Sequence, residues 1–257
     1  MCLILFAYQH HPQYRLIVAA NRDEYFSRPS SPIQYWSDHP QVLAGRDLKE
    51  FGTWMGITID GRFAAITNYR DPRRYTSNPL SRGHLAGNFL CGKQSATDYL
   101  ETVANQAHQY NGFNLLVGDK QSLWYFSNAH EQLLQIPPGV HGLSNHLLNT
   151  PWPKVEQGRQ QLTQCLTQAD VTANDLWDIL TNRQKPYDDR LPKTGVSIEW
   201  ERTLSSAFVE SPEYGTRSSS ILLVGYNDSV KFVERVYHTS LSSWQEISYE
   251  FQIETHH

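Results

Sequence analysis

The chain has 257 residues, 39% of them hydrophobic and 12% aromatic, enough for a core that needs neither disulfides nor a metal staple. Its formal net charge of −4 gives no global field to gather nucleic acid or anionic lipid. No apolar run approaches the roughly 20 residues that span a bilayer, so neither nucleic acid nor an integral membrane segment is expected.

Cys2, Cys91 and Cys165 are an odd set of cysteines without metal-ligand spacing, which predicts free thiols and a cytoplasmic, reducing setting. The apolar run after Met1 lacks a basic region and ends at Gln9-His10-His11, unlike a secretory signal. Eleven histidines form no H-E-x-x-H or other ligand pattern, so no metal and no cofactor is expected.

The first elements are two apolar runs, Cys2 to Tyr8 and Tyr14 to Ala20, joined by the polar turn around Pro12. Both are apolar at nearly every position, the pattern of strands covered on both faces. Pro29 to Pro40 reads as a proline-punctuated loop. GTWMGITID and GRFAAITNY follow as strands around an Asp60-Gly61 hairpin turn. Between Leu80 and Gln109 the period changes. Leu85, Phe89 and Leu90, then Ala96, Tyr99, Leu100 and Val103, predict two helices, the second capped by Ser95.

FNLLVGD, SLWYFSN, EQLLQI and GVHGLSN then read as strands. Helices are expected near 153–168 and 174–182, and a polar loop follows. SSSILLVGY, KFVERVYH and WQEISYEF close the chain as strands, the first two joined by a turn at Asn227-Asp228-Ser229. Hairpin-linked strands and helices in blocks give an α+β class with no linker to divide it, so residues 1–257 are expected to form one domain. The chain lacks a G-x-G-x-x-G or Walker loop, which argues against a nucleotide fold.

Cys2 is the residue with the most chemistry. Methionine aminopeptidases trim Met1 before a small residue, and the new terminus would carry a thiol and a free α-amine together. That amine has a reference pKa of roughly 7.7–8.0, low enough to take the thiol's proton. One residue then supplies nucleophile and base. A buried structural thiol is the plainer alternative, since free cysteine is among the most buried residue types. Cys91 and Cys165, in helical patterns, are expected to be buried structural thiols.

The stretch A-N-R-D-E brings Asn21, Arg22, Asp23 and Glu24 to the end of the second strand, beside the chain start. A carboxylate there can hold an ammonium; an arginine can favour a thiolate or bind a carboxylate. Alternation sends Arg22 and Asp23 to opposite faces. Asn68 and Asn145 end later strands and Arg217 precedes one; asparagine amides can donate to a developing oxyanion. Trp54 and Met55 read as core. Arg70, Arg73 and Arg74 form a cluster able to hold an anionic group.

Cys2 with A-N-R-D-E, A-G-R-D at 44–47, G-T-W-M-G at 52–56, T-N-Y-R-D at 67–71, G-L-S-N at 142–145, T-P-W-P-K at 150–154 and Y-G-T-R at 214–217 resembles the NRDE family. This is also known as the transport and Golgi organisation family. It is similar in turn to N-terminal-nucleophile hydrolases of the penicillin V acylase and bile-salt hydrolase type. The resemblance implies a four-layer αββα sandwich of two stacked, mainly antiparallel sheets flanked by helices.

It also implies catalytic roles for Cys2 as nucleophile, Asp23 at the α-amine, Asn145 in the oxyanion hole and Arg217 near the thiol. Asn21, Arg22, Asn68 and Arg70 are then assigned to substrate binding. The expected activity is hydrolysis of a linear, non-peptide amide through a thioester. The alternative is a non-catalytic carrier of a hydrophobic ligand such as haem, since eukaryotic members are associated with haem trafficking. Partners are thus a small-molecule amide or a hydrophobic ligand, and self-association into a homo-oligomer is compatible with either.

Overall fold

The computed structural model describes residues 2–168, 171–237 and 243–254, with Cys2, Arg74 and Gln132 described in backbone only. The chain opens with strands β1 (Cys2–Tyr8), β2 (Tyr14–Tyr25), β3 (Ser30–Tyr35), β4 (Val42–Asp47), β5 (Met55–Thr58) and β6 (Phe63–Asn68). Helices α1 (Gly83–Cys91) and α2 (Ala96–Gln106) precede β7 (Phe113–Gly118), β8 (Leu123–Ser127), β9 (Gln132–Gln135) and β10 (Gly139–Leu143). Helices α3 (Pro153–Cys165), α4 (Ala173–Leu180) and α5 (Ile198–Thr203) lead to β11 (Tyr214–Gly225), β12 (Ser229–Tyr237) and β13 (Trp244–Gln252).

These elements form two compact units, one of residues 1–27 and 138–251, the other of 28–137 and 252–257. The first holds a six-stranded sheet in the order β10-β1-β2-β11-β12-β13. Leu3, Leu5, Ile17, Ala19, Ile221 and Leu223 on one face of it pack with Val155 and Leu162 of α3 and Leu176 and Leu180 of α4. The alternate residues Ile4, Phe6, Val18 and Leu222 are buried too, as the unbroken apolar runs require.

The second unit holds a seven-stranded sheet in the order β3-β4-β5-β6-β7-β8-β9. Phe89 and Leu90 of α1 and Leu100 and Val103 of α2 pack with Val42, Ala64, Leu115 and Val117. The described ladders are antiparallel in both sheets. The α+β class, two mainly antiparallel sheets each with helices packed on it, is therefore the one expected. Ser95 caps α2 as predicted, its Oγ accepting from the Asp98 amide at 3.1 Å. Gly61, at φ +87°, takes the left-handed corner of the β5–β6 hairpin, where an L side chain would be strained.

Four expectations need correction. Part of the Pro29–Pro40 loop is β3: it lies at the sheet edge, and Pro32 falls in the register shift between Ser31 and Gln34. A proline there forfeits no ladder bond. β2 takes in Asn21-Arg22-Asp23-Glu24 at its end as expected, because β1 and β11 pair with it on either side; long-range pairing carries the strand past its apolar run. The polar loop before β11 contains α5, too short to show a period, with Ser197 Oγ accepting from the Trp200 amide.

Finally, Cys91 and Cys165 are half-buried at the margins of the two helix-covered cores, not enclosed. Met55 is core as expected, whereas Trp54 is only half-buried. A Cβ on Gly45 would sit 2.3 Å from Trp54 Cζ2, so the glycine of A-G-R-D makes room for the tryptophan of G-T-W-M-G.

Candidate active site

Cys2 begins β1 and faces Arg22 of β2 in register; its side chain lies outside the described residues. On the other flank β10 pairs with β1 as far as Leu143 opposite Ile4. Asn145 comes two residues after Leu143, as Cys2 comes two before Ile4. Asn145 is 0% exposed, and Ser144 Oγ donates to its Oδ1 at 3.4 Å.

β11 pairs with β2 through Thr216 opposite Asp23 and Ser218 opposite Arg22, with a shift between them. Arg217, expected before the strand, is thus the extra residue of a bulge inside it, the device by which a strand re-aims one side chain. Arg217 Nη1 donates to the carbonyls of Tyr25 at 2.9 Å and Phe26 at 3.3 Å. Burial, and then the nearby Arg22 guanidinium, hold the Arg217 pKa below its ordinary value.

Asn21 and Asp23 share the face of β2 opposite to that of Arg22. Asn21 Nδ2 donates to the carbonyls of Leu180 and Ala207, both at 2.8 Å, and Oδ1 accepts from Ser219 Oγ at 2.6 Å. Both amide hydrogens are therefore spent within the fold. Arg22 is buried.

Asp23 is 1% exposed. Thr216 Oγ1 accepts from the Val209 amide at 2.9 Å, which commits its own proton to Asp23 Oδ1 at 2.7 Å. Tyr214 Oη fixes the same residue's main chain, donating to the Asp23 carbonyl at 2.9 Å. Burial pushes the Asp23 carboxyl above the usual carboxylate range; the Lys154 ammonium, the Thr216 hydroxyl and Arg22 oppose that rise. Lys154, from the first turn of α3, is 5% exposed and donates Nζ to the Leu204 carbonyl at 2.9 Å.

Asn21, Arg22, Asp23, Asn145 and Arg217 thus belong to one unit. Asn68 and Arg70 belong to the other, where Asn68 ends β6 opposite Phe113 and Arg70 is buried. Arg73 is exposed and pairs with Asp71 at 2.8 Å, so Arg70 and Arg73 do not offer one open cationic surface; the Arg74 side chain lies outside the described residues. Lys154 and Thr216 escaped the sequence reading, although T-P-W-P-K and Y-G-T-R contain them. A lysine set straight after Pro-Trp-Pro was the available signal.

A chain of α+β sheet-and-helix build, with buried polar strand ends gathered beside its first residues, defines the class. The Transport and Golgi organisation 2 family profile matches residues 1–239. The human Transport and Golgi organization protein 2 homolog is 35% identical over 281 aligned positions, covering 99% of this chain and 100% of that protein. The chain belongs to this family. Among solved structures it is similar to the Caenorhabditis elegans ortholog of N-acylethanolamine-hydrolyzing acid amidase, at 10% identity, TM-score 0.47, and coverage of 86% of this chain and 92% of that one. A mutant of conjugated bile acid hydrolase from Clostridium perfringens is similar at 10% identity and TM-score 0.46, covering 100% and 99%. No helix among the described residues is long and apolar enough to cross a membrane.

Proposed function

We propose that this chain is a cysteine N-terminal-nucleophile amidohydrolase acting on a linear, non-peptide amide. Loss of Met1 leaves Cys2 with its α-amine beside its thiol. The amine takes the thiol proton, and the sulfur bonds to the substrate's carbonyl carbon as the C=O pair moves onto oxygen. Asn145 donates to that oxyanion. Collapse expels the amine, which leaves with the proton taken from the thiol, and a thioester remains. Water gives a proton to the α-amine and attacks the thioester; the thiolate leaves and is reprotonated, and a carboxylic acid is released. Asp23 holds the α-amine while it is charged, and Arg22 and Arg217 favour the thiolate or bind the acid.

The single observation that carries this reading is Asp23. A buried carboxylate costs several kcal/mol in desolvation, which makes it a poor stability device, and this one sits next to the register partner of Cys2. Support also comes from the other thiols, since burial raises the pKa of both Cys91 and Cys165 and leaves them poor nucleophiles at neutral pH. Intact-mass measurement of the protein from its native host tests the first step. Loss of the Met1 mass is expected; a retained methionine would block the amine and sink the mechanism.

A second reading, carriage of a hydrophobic ligand such as haem without turnover, draws on a cavity of about 920 Å³ in the 28–137 unit. Its lining sets Tyr69, Tyr110, Phe126 and His130 beside the polar Asp71 and Glu131. Titration with haem would then shift the Soret absorbance at micromolar protein, and an unchanged spectrum would dispose of it.

A further inference from the structure

In the unit of residues 1–27 and 138–251, three aromatic rings stand together where β2, β11 and α5 meet. Tyr25 ends β2 directly opposite Tyr214 of β11, and their rings meet edge to face, 5.1 Å between centroids and 80° between planes. Trp200 of α5 meets the same Tyr214 ring at 5.7 Å and 86°. Tyr214 is 7% exposed, whereas Tyr25 and Trp200 are 49% and 38% exposed. The arrangement is a buried floor with two exposed walls perpendicular to it. The floor is fixed, because Tyr214 Oη is tied to the Asp23 carbonyl at 2.9 Å.

The rings border a cavity of about 420 Å³ whose lining also includes Glu199 and Glu213 and, among the described residues, no basic side chain. Neither glutamate is in an ion pair among the described residues. The Ser197 hydroxyl and the Arg202 charge act on Glu199, which leaves Glu213 the less compensated of the two. Aromatic faces carry the negative end of the ring quadrupole, and two carboxylates add to that field. The site therefore selects a cation, and its walls are apolar rather than oxygen-rich, which disfavours a bare metal ion.

The lining hydroxyls narrow the choice further. Ser211 Oγ donates to the Tyr214 carbonyl and accepts from the Tyr214 amide, and Thr203 Oγ1 donates to the Glu199 carbonyl at 2.8 Å. Both give their protons to main-chain carbonyls, so neither offers a donor to an anionic ligand, while their remaining lone pairs and the two carboxylates stay available as acceptors. Among the cations such a lining suits, an alkylated ammonium matches three rings best, because it presents methyl groups to them and needs no hydrogen-bond partner. We infer that Tyr25, Trp200 and Tyr214 form an aromatic cage for the quaternary ammonium head of a small molecule. The inference does not depend on the Cys2 chemistry.

Isothermal titration of the full-length protein with tetramethylammonium and with choline tests it. Saturable binding is expected, with 3,3-dimethylbutan-1-ol, the uncharged isostere of choline, at least about tenfold weaker. Tyr25→Leu, which keeps apolar area but removes a wall, and Trp200→Leu should each weaken choline by about tenfold, and Glu213→Gln by roughly threefold. Circular dichroism confirms that each variant is folded, and the exposed positions of Tyr25 and Glu213 keep the test available should Trp200→Leu perturb α5.

Phosphatidylcholine vesicles separate the two sources of this head. Cosedimentation that choline displaces assigns a lipid headgroup; choline binding without cosedimentation assigns a free solute. Cys2→Ser should bind choline as the wild type does, so this inference and the hydrolase reading fail separately. Equal affinity for choline and its uncharged isostere, or binding indifferent to both ring variants, would overturn the cage.

Discussion

Each sheet buries a chain of side-chain hydrogen bonds, and the two chains end differently. In the 28–137 unit Tyr125 Oη donates to Asn114 Oδ1 at 2.7 Å, and Asn114 Nδ2 donates to Thr67 Oγ1 at 3.0 Å. This ties β8, β7 and β6 together through neutral groups. In the other unit Tyr237 Oη donates to Ser219 Oγ at 3.0 Å, and Ser219 donates onward to Asn21, whose amide holds the carbonyls of Leu180 and Ala207. The logic is the same, a central amide with its hydrogens placed. Two residues further along β2, however, stands Asp23, a buried carboxylate. Neutral bracing contributes roughly 1 kcal/mol per bond, whereas an enclosed charge works against stability. The seven-stranded sheet's network is scaffolding throughout; in the six-stranded sheet the scaffolding at Asn21 stands two residues from a group that burial has set in tension.

That contrast breaks first at the amides. Asn21→Ala strands two carbonyls and a hydroxyl, and urea unfolding should show a loss of about 3 kcal/mol. Asn114→Ala removes the bonds to the Tyr125 and Thr67 hydroxyls and should cost about 2 kcal/mol. A larger loss at Asn114 than at Asn21 would reverse that order and contradict the contrast.

The charge itself is read by pH. Asp23 is raised above its ordinary 3.8 by burial, so the folded chain holds that proton more tightly than the unfolded chain. The associated stability is present below 3.8 and is lost as pH climbs from there through the raised folded value. Asp23→Asn cannot titrate, so its stability should gain on the wild type across that window. Parallel stability–pH curves for the two proteins would contradict the assignment. The smallest effect belongs to the surface: Lys231 and Glu250 pair at 2.7 Å with side chains 45% and 65% exposed, and Lys231→Ala should shift stability by no more than about 0.5 kcal/mol.

Legibility in the sequence followed local periodicity. The runs of β1 and β2 and the stripes of α1 to α4 announced themselves because burial repeats along one element. β3, with its proline, and α5, only six residues long, did not, since pairing and packing from distant segments create them. The site was half legible. Asn21, Arg22 and Asp23 stood out as polar residues ending an apolar run, and alternation rightly separated Arg22 from Asp23. Lys154 and Thr216 reach the site only because α3 folds back over β1 and β10 and because β11 pairs with β2. The placement of Arg217 depends on a bulge, which no spacing in a single sequence displays. The cage was illegible for the same reason, as its three rings come from positions 25, 200 and 214.

The most direct measurement applies an electrophilic acyl probe to Met-processed protein and maps the modified residue by mass spectrometry. The expected result is one acyl group on Cys2, with Cys91 and Cys165 unmodified. Acylation of Cys91 or Cys165 with Cys2 untouched would contradict a nucleophile at the head of β1.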